Sequence, residues 1–365
     1  MSILPYINQN VYDLVAYQPG KPIEETAREL GLQPEDIVKL ASNENALGPS
    51  PLAVQAMQAA AAQVHLYPDG ASFELRSALA ERFSVDFQQT VVGSGSSEII
   101  ELLCHSCLRP GIELIAAKYS FTMYPLMCKL FNADFVEVDN KPDWSHDLAA
   151  MLRAITPQTR LIFITNPTNP VGTMVYQQEM DDFMAQVPPH VIVAFDEAYI
   201  DFAKQQPDSL RYVRQGKNVV VMRTFSKAYG LAGVRAGFAI TTPEIADLLN
   251  KARSPFNINS IAQVGALAAL SDREHLSRSV QMVHEGLQQY YAAFDAWGVP
   301  YIPAHGNFLL VRVGQGRRVF QECLRRGVIL RPMDGYGLGD YIRITVGTRS
   351  ENERCIRTLQ EVLGK

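Results

Sequence analysis

Four segments of the chain gather residue types that can do chemistry, and each follows a short apolar run. The first is VVGSGSSEIIELL, where Gly93, Ser94, Gly95, Ser96 and Ser97 lead into a helical pattern. Backbone amides at a helix N-terminus, two hydroxyls and the helix dipole together make a phosphate site. The segment is not a dinucleotide fingerprint, because Glu98 stands where the third glycine of GxGxxG would fall, and no lysine follows as in a P-loop. A capped helix without a ligand is the plain alternative. The second segment, RLIFITNPTNPVGT, sets Asn166 and Asn169 in a proline-rich turn, which by residue type alone reads as structural.

The third segment, VIVAFDEAYIDF, ends an apolar strand on Asp196 and Glu197, with Tyr199 close behind. A carboxylate there loses much of its hydration unless it meets a cation or lies in a crevice. It is either a helix cap or the partner of a cationic ligand. The fourth, VVVMRTFSKAYGLAGVRAGF, puts Thr224, Ser226 and Lys227 after a strand, and Arg235 in a glycine-rich turn before the next one. Most lysines are solvated surface charges. One held between an apolar strand and AYGLAG gives up its proton more readily and can act as a Schiff-base nucleophile.

Together these segments supply a phosphate cradle, a carboxylate, a phenol, an amide and a lysine, which is the set that pyridoxal 5'-phosphate requires. Lysine forms an imine with the cofactor aldehyde, and a carboxylate keeps the pyridine nitrogen protonated so that the ring can accept electrons from a substrate Cα. Asn169 and Tyr199 can donate to the ring oxygen O3′. Ser96, Ser97, Ser226 and Arg235, with Thr224 beside them, can hold the phosphate. A lysine amine displaced by substrate can then move a proton between Cα and C4′, which is transamination.

For these side chains to meet, their segments must be strand ends on one edge of a sheet. From about Val91 onward, apolar runs such as ELIAA, RLIFIT, VIVAF and NVVVMRTF alternate with helical patterns. That alternation predicts an α/β fold with a mostly parallel sheet covered by helices on both faces. Ligands in such sheets sit at the carboxyl ends of the strands. Near residue 250, after KARSPFNINS, the pattern changes to long helices up to Trp297, followed by NFLLVRV, a helix, YIRITVG and a closing helix. This predicts a smaller α+β domain. Pro5, Pro19, Pro22 and Pro34 around the single helical pattern IEETAREL make residues 1–40 an arm lying across something larger. The expected division is therefore an arm over 1–40, a large domain over 41–250 and a small domain over 251–365.

Composition narrows the function classes. Of 365 residues, 47% are hydrophobic and 19% charged, values of an ordinary globular protein. The formal charge of -5 offers no general attraction to nucleic acid or anionic membrane, and no basic helix precedes residue 40 to suggest a DNA-binding sensor. No run approaches the ~20 apolar residues of a membrane span. The five cysteines form no regular framework, and the first residues lack the pattern of a signal peptide, so the expected compartment is a reducing cytoplasm. Cys104 and Cys107 form a CxxC, but no second Cys/His pair follows at zinc spacing. The run IIELLCHSCL reads as a buried helix face, and no metal is expected.

The ordered motifs YQPGKPIEE, LASNENALGPSP, LYPDG, VVGSGSSEII, TNPTNPVGT, FDEAY, TFSKAYGLAGVRAGF, GNFLLVR and YIRITVGT run over nearly the whole chain. They resemble the fold type I pyridoxal-phosphate aminotransferases and, within them, the histidinol-phosphate aminotransferases. The resemblance implies that Lys227 carries the cofactor, Asp196 pairs with its ring nitrogen, and Asn169 and Tyr199 contact O3′. It also implies that Ser226, Arg235 and the loop at Ser96 and Ser97 hold the phosphate. Tyr119, in AAKYSFTMYP, matches the aromatic residue that stacks on the ring. Tyr67, in LYPDG, matches a tyrosine that reaches the cofactor phosphate of the neighbouring subunit, which implies a homodimer with a shared site. The arm, with Tyr17, and Asn45 of LASNEN are implied substrate contacts. Val171 departs from the family, where a threonine is frequent, and leaves Asn169 intact.

Substrate choice rests on two arginines. Arg343, in YIRITV, matches the family arginine that grips an α-carboxylate through a two-point fork. Arg331, in VILRPM, matches a position that helps bind substrate phosphate. Histidinol phosphate lacks a carboxylate, so its phosphate would share the anion site that glutamate uses. The implied reaction moves an amino group between histidinol phosphate and 2-oxoglutarate in histidine biosynthesis. An aromatic amino-acid aminotransferase is the alternative within the same fold, and a related decarboxylase is a more distant one. A nicotinamide-dependent oxidoreductase is disfavoured by the missing third glycine.

Overall fold

The computed structural model describes residues 2–14 and 20–365. Its centre is a seven-stranded sheet in the order Thr90–Gly93, Gly237–Thr241, Val219–Thr224, Ile192–Asp196, Thr159–Thr165, Glu113–Ala117, Asp134–Val138. Gly237–Thr241 is antiparallel to both of its neighbours, and the other adjacent pairs are parallel. Side-chain alternation splits each central strand between two cores. Ile162, Ile164, Val193, Phe195 and Val221 enter one cluster, whereas Leu161, Phe163, Ala194, Val220 and Met222 enter another. This explains why the central runs are apolar at every position.

Register brings the strand ends level. Asp196 lies opposite Thr165 on one side and Met222 on the other. Because Gly237–Thr241 runs the other way, its first residue stands at this same edge, opposite Thr224 and Gly93. Arg235 therefore reaches the edge although it precedes its strand.

The small domain has a four-stranded antiparallel sheet, in the order Arg331–Pro332, Tyr341–Thr345, Phe308–Arg312, Tyr301–Ile302. Val283 and Leu287 of the helix Arg273–Trp297, Val319 of Gly316–Arg325 and Leu359 of Arg349–Leu363 share one core with Leu309 and Ile342 of this sheet. Val38–Lys39 pairs in parallel with Val328–Ile329, and Ala27 of the helix Ile23–Leu30 packs with Ile37 and Ile329. The end of the arm is thus fixed to the small domain.

The change of core falls later than residue 250, where the sequence pattern shifts. Ala262, Ala266, Ala269 and Leu270 of the helix Ser260–Ser271 lie in the large-domain cluster with Ala53 and Leu75. Small residues permit this close approach: a Cβ on Gly265 would lie 2.8 Å from Sδ of Met57. Asp272 then caps the next helix, accepting from His275 N at 3.0 Å. All five cysteines are free, and Cys104 is buried on its helix as the apolar pattern predicts. Among the described residues no helix is long and apolar enough to cross a membrane, and no His/Cys/Asp/Glu group is arranged to hold a metal ion.

Candidate active site

A cavity of about 440 Å³ lies at the carboxyl edge of the large sheet and is closed on one side by the small domain. Lys227, Asp196, Asn169, Tyr199, Thr224 and Ser226 all line it. Ser96, Ser97 and Arg235 line it at one end, and Arg331 and Arg343 also face it. Four separate sequence segments and two strands of the small domain therefore converge on one space.

Asp196 is almost fully buried. Its Oδ2 accepts from the Tyr124 hydroxyl at 2.8 Å and its Oδ1 from Ala198 N at 3.3 Å. Burial pushes its pKa up, while the Tyr124 and Ala198 bonds and the charge of Lys227 pull it down. Glu197, the next residue, takes the other side of the sheet. Its Oε2 accepts from Arg223 Nε at 2.9 Å and Nη2 at 2.8 Å, and its Oε1 accepts from Ser209.

Lys227 Nζ donates to Ser42 O at 3.3 Å and lies 5.6 Å from the Tyr199 ring centre. The Tyr199 hydroxyl accepts from Asn43 Nδ2 at 3.0 Å, which directs its own proton elsewhere. Burial raises the Tyr199 pKa, so the phenol remains a donor. Asn169 Oδ1 accepts from Arg343 Nη1 at 2.5 Å, and this leaves the Asn169 amide nitrogen as the outgoing donor.

At the other end, the helix Ser96–Cys107 begins after Gly95, whose φ of 77° and position beside Arg235 exclude a side chain. A Cβ on Gly95 would overlap the Arg235 guanidinium, and one on Gly237 would overlap the backbone at Ser96. No side chain caps this helix, whereas Ser50 caps Pro51–Ala60 and Thr348 caps Arg349–Leu363. Arg235 Nη1 donates to Ser226 Oγ at 3.2 Å, and Ser226 N donates to Thr224 Oγ1 at 3.1 Å. Helix amides, four hydroxyls and a guanidinium thus surround one end of the cavity.

Arg331 is the direct cross-strand partner of Arg343. Like charges at opposed positions repel, so an anion bound between them is favoured. Arg343 Nη2 donates to Ala41 O at 3.0 Å, and its guanidinium carbon lies 5.2 Å from the Phe308 ring centre. The fork is thereby aimed into the cavity. A phosphate-binding end, a buried carboxylate, two donors beside a lysine and a second anion site fit pyridoxal 5'-phosphate together with an anionic substrate.

Some expected residues lie elsewhere. Tyr119 does not line the cavity; its ring is 5.2 Å from Trp144, in a cluster with Val171 and Met333. Phe121, two residues on, is the aromatic that does line it. Asn45 also falls outside the lining, its amide nitrogen donating to Ala228 O at 3.0 Å and Ser279 Oγ at 2.9 Å. Ala41, Ser42, Asn43 and Glu44 are the LASNEN residues that line the cavity, and of these Asn43 bonds Tyr199. Tyr67 is 82% exposed, stacked on Phe256 at 4.7 Å and away from the cavity of its own chain. Tyr17 lies outside the described residues. Tyr124 and Asn43 have no signal of their own in the sequence, although each lies inside a motif, AAKYSFTMYP and LASNEN, that does.

The family model for aminotransferase class I and II matches residues 35–359, and the chain belongs to that family. Its relatives carry a narrower description. The histidinol-phosphate aminotransferase of Akkermansia muciniphila is 62% identical over 363 residues, covering 100% of both chains. That of Moorella thermoacetica is 44% identical over 367 residues, covering 100% of this chain and 94% of the relative. A solved histidinol-phosphate aminotransferase from Sinorhizobium meliloti, in complex with pyridoxal-5'-phosphate, matches with a TM-score of 0.88 at 24% identity, covering 98% of this chain and 97% of that one. This likeness bears out the fold, and the two curated relatives bear out the resemblance read from the motifs.

Proposed function

We propose that this chain uses pyridoxal 5'-phosphate to transfer an amino group between L-histidinol phosphate and 2-oxoglutarate, giving imidazole-acetol phosphate and L-glutamate in histidine biosynthesis. The observation that carries this reading is that Arg331 and Arg343, opposite each other, share one cavity with Lys227 and Asp196. The full-length similarity to relatives named for this substrate supports the choice. Both amino donors present an anion to the arginine pair, a phosphate in one half-reaction and a carboxylate in the other.

When bound, the cofactor supplies an aldehyde carbon for the amino group and an electron-poor ring that stabilises charge developing at the substrate Cα. Asp196 provides the counter-charge for a protonated ring nitrogen. Tyr199 and Asn169 would donate to the ring oxygen, and Phe121, which lines the cavity where Tyr119 does not, would supply the aromatic contact. Ser96, Ser97, Thr224, Ser226 and Arg235 hold the phosphate with the first helical amides. Lys227 Nζ would take the proton from the substrate Cα and hold it for return on the far side of the amino nitrogen. The small domain covers one side of the cavity and would limit the access of water there.

A homodimer is part of the proposal. Tyr67 and Phe256 stack as exposed rings, and Val64, Leu66 and Phe73 are also exposed. A second copy would cover such a patch and bring Tyr67 to the partner's phosphate end. A cytoplasmic setting is proposed as well, supported by five free cysteines, four of them buried. The test is a paired measurement of kcat/KM for histidinol phosphate and phenylalanine, each with 2-oxoglutarate. We expect histidinol phosphate to be favoured by at least roughly tenfold, and a preference for phenylalanine overturns the substrate assignment. Sedimentation of the full chain at twice its monomer mass tests the dimer.

A further inference from the structure

Tyr124 takes no part in the roles described above, yet it is the residue most closely engaged with Asp196. It lies on the helix Met123–Leu130, is fully buried, and stacks on Phe163 with ring centres 4.2 Å apart and planes at 2°. Its hydroxyl is 2.8 Å from Asp196 Oδ2 and 2.8 Å from Thr165 Oγ1. A carboxylate only accepts, so the tyrosine proton goes to Asp196, and the second bond must then be donated by Thr165. The chain of bonds therefore has one direction, from Thr165 through Tyr124 to Asp196. Burial and the Asp196 charge raise the phenol pKa well above its ordinary value, so Tyr124 keeps its proton.

This geometry restricts the carboxylate. Tyr124 holds Oδ2 from a ring clamped by Phe163, and Ala198 N holds Oδ1, so rotation about the Cβ–Cγ bond is opposed on both oxygens. The same helix begins at Met123, which lines the cavity just after Phe121. One short segment thus supplies both a ring facing the cavity and the support for its buried carboxylate.

We propose that Tyr124, backed by Thr165, is a positioning residue that fixes the plane of the Asp196 carboxylate so that it meets the cofactor ring nitrogen in one orientation. The proposal rests on the assignment of Asp196 to that nitrogen, made above. Tyr124→Phe retains the ring and its stacking and removes a single oxygen. In the full-length chain this variant should bind pyridoxal phosphate roughly tenfold more weakly, the loss of one charge-assisted hydrogen bond. Its kcat should fall by a similar factor while KM for the amino donor is unchanged, because the amino donor's anion site is untouched.

A double-mutant cycle separates positioning from packing. In the Asp196→Asn background, Tyr124→Phe should weaken pyridoxal phosphate binding by less than about twofold, since the charge it serves is gone. Equal losses in both backgrounds, or wild-type affinity and kcat in Tyr124→Phe, overturn the proposal while leaving the Asp196 assignment standing. Wild-type binding and turnover in Asp196→Asn overturn that assignment itself, and the proposal with it. Should Tyr124→Phe fail to fold, Thr165→Val takes its place in the cycle. Its effect should have the same sign and be smaller, and an equal loss with and without Asp196 is again the adverse result.

Discussion

Asp196 and Glu197 are consecutive buried carboxylates that serve opposite sides of one sheet edge. On the reverse side, Glu197 meets a guanidinium built into the next strand, with Arg223 giving two hydrogen bonds to Oε2. Burial pushes the Glu197 pKa up, and Arg223 is the largest influence pulling it back. On the cavity side, among the described residues, Asp196 accepts from a phenol and a backbone amide, and the charge of Lys227 also pulls its pKa down. The two residues pose the same desolvation problem and solve it differently. A buried carboxylate gripped by a guanidinium of the next strand is a part of the fold, whereas one held by a phenol and an amide at a cavity wall can also meet a cation that arrives with a ligand.

Substitutions on the two sides should separate function from stability, and Lys227→Ala is expected to have the largest effect. Transamination should fall about 10³- to 10⁴-fold, with the thermal midpoint of the apoprotein nearly unchanged, as steady-state assays and calorimetry would show. Asp196→Asn comes next. Loss of the counter-charge should lower kcat about 10²- to 10³-fold. The apoprotein should be as stable as wild type or more so, because an amide escapes the cost of burying a charge. Glu197→Ala should show the reverse pattern. It leaves Arg223, whose side chain is only 17% exposed, without its hydrogen-bonded carboxylate and with Asp201 acting through its charge, and should cost about 3 kcal/mol in denaturant unfolding. The folded fraction should keep kcat/KM within about threefold of wild type, far less than a lost catalytic group costs. If Glu197→Ala were stable and inactive, or Asp196→Asn unfolded and otherwise competent, the contrast between the two sides would collapse.

The parts of this site that were legible in the sequence share one property: each lies in a contiguous segment right after an apolar strand. Ser96, Asn169, Asp196 and Lys227 are found that way, since the period of the strands and the rule that ligands sit at carboxyl ends are both local. The supporting residues are not local. Asn43 is tied to Thr345 across 302 positions, its N donating to Thr345 Oγ1 at 2.9 Å, and no spacing rule connects them. Tyr119 and Phe121 are equivalent by residue type, and only the turn of backbone between the strand Glu113–Ala117 and the helix at Met123 decides which ring enters the cavity. The alanine-rich pattern of the helix Ser260–Ser271 gives length but no partner, so the sequence places it with the small domain. Its neighbour in the large domain is the helix Pro51–Ala60, remote in sequence.

A third buried ionisable group extends the comparison with a smaller expected effect. His146 is 1% exposed, and among the described residues neither ring nitrogen has a hydrogen-bond partner. With no such partner among the described residues, burial favours the neutral ring. Burial accordingly lowers its pKa to about 4. With the folded value below the unfolded one, the unfolded chain binds the extra proton. The stabilising contribution of the neutral ring is complete above about pH 6.5 and is lost as the pH falls toward 4. At pH 5 the loss should be about 2 kcal/mol. Asp196, Glu197 and Asp201, whose folded values are raised by burial, act with the opposite sign, since their protonation is favoured in the folded state. The His146 term must therefore be taken as a difference between wild type and His146→Leu at each pH, from urea unfolding of the full chain. The two stability curves should converge or cross as the solution is acidified from pH 7 to pH 5. Parallel curves would mean that His146 finds a proton acceptor in the folded protein, and that a buried titratable group here need be neither matched nor neutral.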